Sequence, residues 1–229
     1  MMLASRTIAE ELMDDPALDP QVYEAVLTDL ARVNRVTMAA RPTLAFLKRA
    51  VGGKRSFRLL DVGFGNGDML RAIAQWSAVR GIAADLVGVD LNEKSCEVAR
   101  KATSALLPIT YRTGDYAELA GHRFDCVVSS LVAHHMTRKQ LVTFLQFMDQ
   151  EASAGWFVND LHRHGVAYTG YPLLAAVMGA HPIVKHDGKL SIARSYRAGE
   201  WPPLLTEAGV HGARVFRAFP FRLCVEKIR

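Results

Sequence analysis

The chain reads as an α/β protein built on a doubly wound, mostly parallel sheet, and three features of the sequence predict this. Short runs such as FDCVVSSLV are apolar at successive positions, as strands covered by helices on both faces must be. Between Arg58 and Asp160 such runs alternate with helical segments at the spacing of consecutive strand–helix units. The first run leads through Gly63-Phe64-Gly65-Asn66-Gly67 directly into a helix, a turn in which glycine tolerates backbone angles closed to other residues.

Each element follows from its own pattern. In QVYEAVLTDLARVNRV the apolar residues Val22, Val26, Leu27, Leu30, Ala31, Val33 and Val36 recur at helical spacing. Pro42 fits the first turn of a second helix, PTLAFLKRAV, which Gly52-Gly53 stops. RLLDVG is the first strand, Asp68–Val79 a helix, DLVGVDL a strand, Glu93–Ala105 a helix and ITYRTGD a strand. FDCVVSSLV is the fourth strand, and Thr137 with Gln140 forms a capping box that opens a helix to about Ala152. GWFVND is the fifth strand. GVAYTGYPLLAAVMGA then makes an apolar helix, HDGKLSIARSY follows as a loop, and ARVFRAF and RLCVEKI flank Pro220-Phe221 as two antiparallel strands. One domain results, with a helical cap over 1–53, a core over 57–160, an insertion over 161–200 that can act as a lid, and a C-terminal helix and hairpin over 201–229.

Composition narrows the class without naming a chemistry. Half of the 229 residues are hydrophobic and mean hydropathy is +0.07, so a chain of this size can bury a core without disulfide or metal. The net charge of +5 is scattered, and its densest cluster, Lys54–Arg58, reads as a solvated turn before a strand, so no nucleic-acid partner is expected. Cys96, Cys126 and Cys224 are far apart, without metal-ligand spacing, and read as small buried hydrophobes. Acids in the first fifteen residues argue against a secretory signal, and no run approaches the roughly 20 apolar residues of a membrane span. A cytoplasmic monomer or homodimer is expected, with no stable membrane insertion.

The glycine turn is the most informative segment. A dinucleotide site wants G-x-G-x-x-G with a pyrophosphate on the helix N-terminus. Here the spacing is G-x-G-x-G, and Asp68 immediately follows Gly67. A carboxylate at the positive end of the helix dipole repels a diphosphate and welcomes an ammonium. That combination favours S-adenosylmethionine, which carries an ammonium and no phosphate, over a nicotinamide dinucleotide. Asp90, with Leu91 beside it, closes the second strand where an acid is placed to accept from both ribose hydroxyls. After the third strand, Gly114-Asp115-Tyr116 offers an acceptor for an adenine amino group and a ring to pack near the base.

Taken in order, Asp61-x-Gly63-x-Gly65-x-Gly67, Asp90, Gly114-Asp115 and FDCVVSS resemble the motif set of class I S-adenosylmethionine-dependent methyltransferases, over roughly residues 57–160. The resemblance implies a seven-stranded sheet with a reversed final hairpin, and it implies Asp61, Gly63, Gly65, Asp90, Asp115 and Ser130 as cofactor contacts. Phe64 departs from the pattern, which usually has a smaller residue there. The later region, from NDLHRH to the hairpin, is more loosely similar to small-molecule enzymes of secondary or quinone-type metabolism. The asparagine-proline-proline-aromatic signature of amino-directed enzymes is missing, since Ser129-Ser130-Leu131-Val132 stands in its place.

On the acceptor side a base near neutrality would serve a phenolic or acidic acceptor. His134-His135 follows the fourth strand, where the resemblance puts residues that face the reactive methyl, and His162 with His164 follows the fifth at the same edge. His135 or His162 is expected to take the proton, with Asn34, Arg35, His134 and Tyr168 lining the pocket. His186 folding back would bring five histidines together, yet without Cys ligands or an HxxxH helix no metal is expected. The reaction expected is O-methylation of a hydroxylated, fairly hydrophobic molecule. C-methylation of an activated quinone- or polyketide-type ring is the alternative within the family. Outside it stand an oxidoreductase and a non-catalytic cofactor-binding protein.

Overall fold

Residues 3–229 are described by a computed structural model. Five parallel strands form its centre: β1 (Ser56–Val62), β2 (Ala83–Asp90), β3 (Ile109–Thr113), β4 (Phe124–Ser130) and β5 (Ala152–Leu161). β6 (Arg214–Ala218) and β7 (Arg222–Ile228) complete a seven-stranded sheet in the order β3-β2-β1-β4-β5-β7-β6. β7 alone runs opposite in direction to the other six. Strand order reverses between β1 and β4, and ligands of doubly wound sheets bind beyond the carboxyl ends of the strands at such a point.

The helices are α1 (Pro20–Val36), α2 (Ala40–Ala50), α3 (Asp68–Val79), α4 (Glu93–Lys101), α5 (Arg138–Glu151), α6 (Gly165–Val177), α7 (Pro182–Arg194) and α8 (Trp201–Glu207). Phe46, Leu59, Leu70 and Phe157 belong to the core beneath α2, α3 and α4, while Leu60, Val127, Phe144 and Trp156 belong to that beneath α5 and α8. Adjacent residues of one strand thus serve opposite layers, which is why the strand sequences lack polar alternation. Asp19 caps α1 through the N–H groups of Gln21 and Val22, and the Thr137–Gln140 capping box opens α5 as the sequence predicts. Cys96, Cys126 and Cys224 are buried and unpaired.

One element departs from expectation. The segment after α6 is the helix α7, not a loop, despite Gly188 in its middle. α6 and α7 pack closely, and a Cβ at Gly188 would collide with the ring of Tyr171. Glycine costs helix propensity there and is required by the approach of the two helices. Ahead of α1, Leu12 and Met13 donate backbone N–H groups to the Asp187 carboxylate (3.0 and 2.9 Å), tying the N-terminal segment to α7.

Candidate active site

A cavity of about 860 Å³ opens at the carboxyl edge of the sheet, a size within the roughly 300–1,000 Å³ of small-molecule sites. The glycine turn forms one wall. α1, the Glu11–Asp14 segment, α6 and α7 close the other side. Gly63, Gly65 and Gly67 all lie at positive φ (77°, 51° and 78°), and a Cβ at Gly63 would collide with Val132. Gly67 lies behind the wall and begins α3, where a side chain would strike Tyr111. The Phe64 ring does not crowd the cavity; it packs under the turn against Tyr111, with centroids 4.8 Å apart.

Three carboxylates gather at this wall. Asp61, at the end of β1, is buried, and neither of its oxygens has a hydrogen-bond partner. Its burial, with Asp68 and Asp90 nearby, pushes its carboxyl up to about 8. Asp68 accepts from Asn34 Nδ2 (3.2 Å) and is likewise raised by burial. Asp90 accepts from the Gly65 and Asn92 N–H groups (both 2.9 Å), and burial raises it too. Among the described residues none of the three makes an ion pair. A concave wall carrying three acids, none of them ion-paired, fits an ammonium-bearing nucleoside and disfavours a diphosphate. The set therefore fits S-adenosylmethionine, whose ammonium Asp61 and Asp68 would face and whose ribose Asp90 would meet.

Around Asp90 the cavity is lined by Leu91, exposed and ready to cover a base, by Gly114 and by Tyr116, whose ring packs on Phe144 and Phe147. Asp115, expected as a cofactor contact, is exposed and does not line the cavity; it accepts from the Ala117 N–H (2.9 Å). Ser130 lines the cavity, and Leu131 after it turns the chain at φ 63°, an uncommon conformation for a residue with a Cβ. Asp90→Ala is expected to weaken S-adenosylhomocysteine binding about tenfold or more, since hydrogen bonds to a charged group contribute about 1.5–3 kcal/mol. Unchanged affinity by titration calorimetry would remove Asp90 from the ribose contact.

The histidines separate. His134 and His135 sit together on a short turn after β4, their rings 4.3 Å apart, and both line the cavity. His134 is buried, with Nδ1 2.7 Å from Asp160 Oδ1 and Nε2 3.6 Å from Glu11 Oε1. Burial alone would lower its pKa, but the two carboxylates outweigh that and push it up to about 9. His134 is therefore an imidazolium at neutral pH, an orienting cation and not a base. His135 is partly exposed, with Nδ1 3.1 Å from Asp14 Oδ2 and Nε2 3.8 Å from Glu11 Oε1.

Contrary to the sequence-based expectation, His162 lies outside this cavity. Its N–H still donates to Phe221 O, so the chain follows β7 past the sheet edge and delivers His162 beside His164, Arg197 and Arg217. Burial and those cations hold its pKa below the usual histidine value. His186 is exposed on α7 beside Asp187 (2.8 Å), so the five histidines do not converge. Asn34 lines the cavity, whereas Arg35 and Tyr168 do not. Arg35 is exposed on α1, and the Tyr168 ring turns toward Lys189, whose Nζ lies 4.7 Å from its centroid.

Three lining or neighbouring residues gave no sequence signal: Glu11, Asp160 and Arg222. Glu11 is an acid among other acids in the sequence, yet it is buried and accepts from Ser191 Oγ (2.8 Å). Glu11, His134 and His135 also bring potential metal-ligand atoms within 4.8 Å of one another. The donor set does not suit a metal. Asp160 holds His134 Nδ1, the Ser191 hydroxyl donates to Glu11 Oε1, and Arg194 Nη1 stands 3.6 Å from that same oxygen.

Comparison with known proteins agrees with this geometry. Residues 59–150 match the family described as methyltransferase domain. No curated protein sequence matches the chain. Among solved structures, magnesium protoporphyrin IX methyltransferase of Synechocystis PCC 6803, with S-adenosylhomocysteine bound, is 17% identical at TM-score 0.57, covering 95% of this chain and 90% of its own. The plantazolicin methyltransferase with a pentazolic analogue and S-adenosylhomocysteine is 16% identical at TM-score 0.63, covering 92% and 97%. Human N-acetylserotonin methyltransferase with S-adenosylmethionine is 13% identical at TM-score 0.64, covering 92% and 56%. At these identities the likeness speaks for the fold. Residues 59–150 therefore carry a methyltransferase domain, on a fold shared with solved S-adenosylmethionine-dependent methyltransferases.

Proposed function

We propose that the enzyme O-methylates a hydroxylated, fairly hydrophobic small molecule of secondary metabolism, with His135 as the general base. The observation that carries this reading is the pairing of an apolar acceptor half with one imidazole held by a carboxylate. Val166, Ala167, Leu174 and Ile192 line that half, and Val36, Phe219 and Phe221 line the cavity while staying exposed at its mouth. Such surroundings favour a lipophilic guest. The solved neighbours named for a protoporphyrin, a plantazolicin and N-acetylserotonin are in keeping with an organic acceptor.

Bound S-adenosylmethionine supplies an electrophilic methyl on a good leaving group. The protein's own work is then alignment, exclusion of water and removal of one proton. Asp14 fixes His135 through Nδ1, which leaves Nε2 to accept the acceptor's hydroxyl proton as its oxygen takes the methyl. His134, clamped by Asp160, keeps this turn in place. The N-terminal segment with α1, α6 and α7 serves as the lid. Among the described residues no helix is long and apolar enough to cross a membrane. We place the enzyme in the cytoplasm, as a monomer or homodimer acting on small molecules and not on nucleic acid.

The test is methyl incorporation from labelled cofactor into a panel of phenols. His135→Ala is expected to lower turnover about 100-fold or more, the contribution of a positioned base, with S-adenosylhomocysteine affinity within about twofold of wild type. Equal losses in turnover, cofactor affinity and melting temperature would make His135 structural. An activated ring carbon could use the same groups, and NMR of the product separates O- from C-methylation.

A further inference from the structure

Arg222, the first residue of β7, pairs with Leu161 and Ala218 at the acceptor end of the cavity. It is 3% exposed. Nη2 donates to Asn34 Oδ1 (3.3 Å), whereas Nη1 is buried without a hydrogen-bond partner. No carboxylate lies within ion-pair distance of the guanidinium among the described residues. The acid that acts on it most strongly, Asp160, has both oxygens engaged by His134, one by its ring and one by its backbone N–H. Burial lowers its pKa, yet arginine does not shed its charge in proteins. A permanent cation is thus held in an apolar cavity with an unused donor, a state that is strongly unfavourable until an anion completes it.

The opposite pole of the cavity belongs to the cofactor's ammonium, at Asp61 and Asp68. The β7 backbone runs three strands away from β1, about 14 Å at the usual spacing, and the Arg222 side chain reaches back from it toward Asp68. Asn34 bridges the two poles, donating to Asp68 and accepting from Arg222. Leu161, its partner across the sheet, lines the same cavity, as do Tyr171, Phe219 and Phe221. We infer that Arg222 anchors a carboxylate of the methyl acceptor, so that the acceptor is a hydrophobic organic acid. This deepens the acceptor reading above and rests on it. Because its readout is binding and not turnover, it can fail or hold apart from the identity of the base. A guanidinium offers two parallel donors to a carboxylate and only one to a hydroxyl, which sets the expected preference.

The test uses the intact enzyme saturated with S-adenosylhomocysteine. Decanoate and 4-pentylbenzoate are titrated against decanol and 4-pentylbenzyl alcohol by calorimetry. The acids are expected to bind about tenfold tighter than the alcohols. Arg222→Met is expected to abolish that preference, leaving alcohol affinity and S-adenosylhomocysteine affinity within about twofold of wild type. If the wild type shows no acid preference, or Arg222→Met retains it, the inference is overturned. A fall in S-adenosylhomocysteine affinity as large as that for the acids would overturn it as well, assigning Arg222 to the cofactor's own carboxylate. Should Arg222→Met fail to fold, Arg222→Lys carries the test. It keeps the charge but loses the forked donors, so acid affinity is expected to drop about fivefold while decanol is unaffected. Equal changes for acid and alcohol would overturn the assignment.

Discussion

Asp61→Asn is expected to raise the melting temperature of the ligand-free enzyme at pH 8 while weakening S-adenosylhomocysteine binding by about 30-fold or more. Both effects come from one buried carboxyl. Its folded pKa of about 8 lies far above the roughly 3.9 of an unfolded aspartate. A group raised in this way contributes stability that is fully present below about pH 4 and is lost as pH rises toward 8. The wild type should therefore weaken across that range by a few kcal/mol, and the variant with its neutral amide should not. At about 2–4 °C per kcal/mol for a protein of this size, the variant's advantage at pH 8 is about 5 °C or more. In the complex the sign reverses, because the ligand's ammonium pairs with the wild-type carboxylate and finds no charge on an amide. Losing a partner of a buried pair costs about 2–5 kcal/mol. Scanning fluorimetry from pH 5 to 9 and calorimetry with S-adenosylhomocysteine measure the two halves. A variant less stable at pH 8, with affinity intact, would refute the ammonium pole.

Asp160→Asn is expected to be severely destabilising, lowering the melting temperature by about 10 °C. Removing one partner of a buried ion pair costs about 3–5 kcal/mol, because the other charge stays behind. The His134–Asp160 pair is buried on both sides. Burial would raise the Asp160 pKa, but His134 outweighs it and holds it below the usual carboxylate value. That contribution is present above about pH 4 and is lost as pH falls through the folded value. His134 works in the opposite sense: its contribution is full below about pH 6.5 and is lost as pH rises through about 9. The wild type should consequently lose stability between pH 6.5 and 9, and Asp160→Asn should flatten that slope. Since His134 also faces Glu11, hydrogen exchange across residues 7–14 should quicken in the variant. A melting temperature within 2–3 °C of wild type, or an unchanged pH slope, would show that the pair is not ionised as described.

The glycine turn and the acids beside it were readable because their requirements are local. Gly63, Gly65 and Gly67 need positive φ, Asp68 opens a helix and Asp90 ends a strand, and each requirement is written within a few neighbours. Asp61 was named from the resemblance, but its lack of any partner is a property of the packed sheet. The acceptor half depends on contacts between residues distant in sequence. Glu11 meets Ser191, Asp160 meets His134, and Arg222 meets Asn34. Nothing near Arg222 in the sequence separates it from Arg214 or Arg217, both on the hairpin, yet Arg214 pairs with Glu226 while Arg222 is sealed in the cavity. His162 was misplaced for the same reason: just beyond the end of β5, pairing with the hairpin decides where the chain goes.

Periodicity and turn chemistry in the chain alone determined the strand–helix alternation, the final hairpin and the glycine turn, because covering a strand on both faces or turning at positive φ constrains neighbouring residues directly. Which histidine shares a cavity with the cofactor, which carboxylates charge it and which arginine is left without a counterion were decided only when the N-terminal segment, α7 and β7 closed over the same sheet edge. Those outcomes rest on desolvation and on charges meeting across long stretches of sequence, and both exist only in the folded protein.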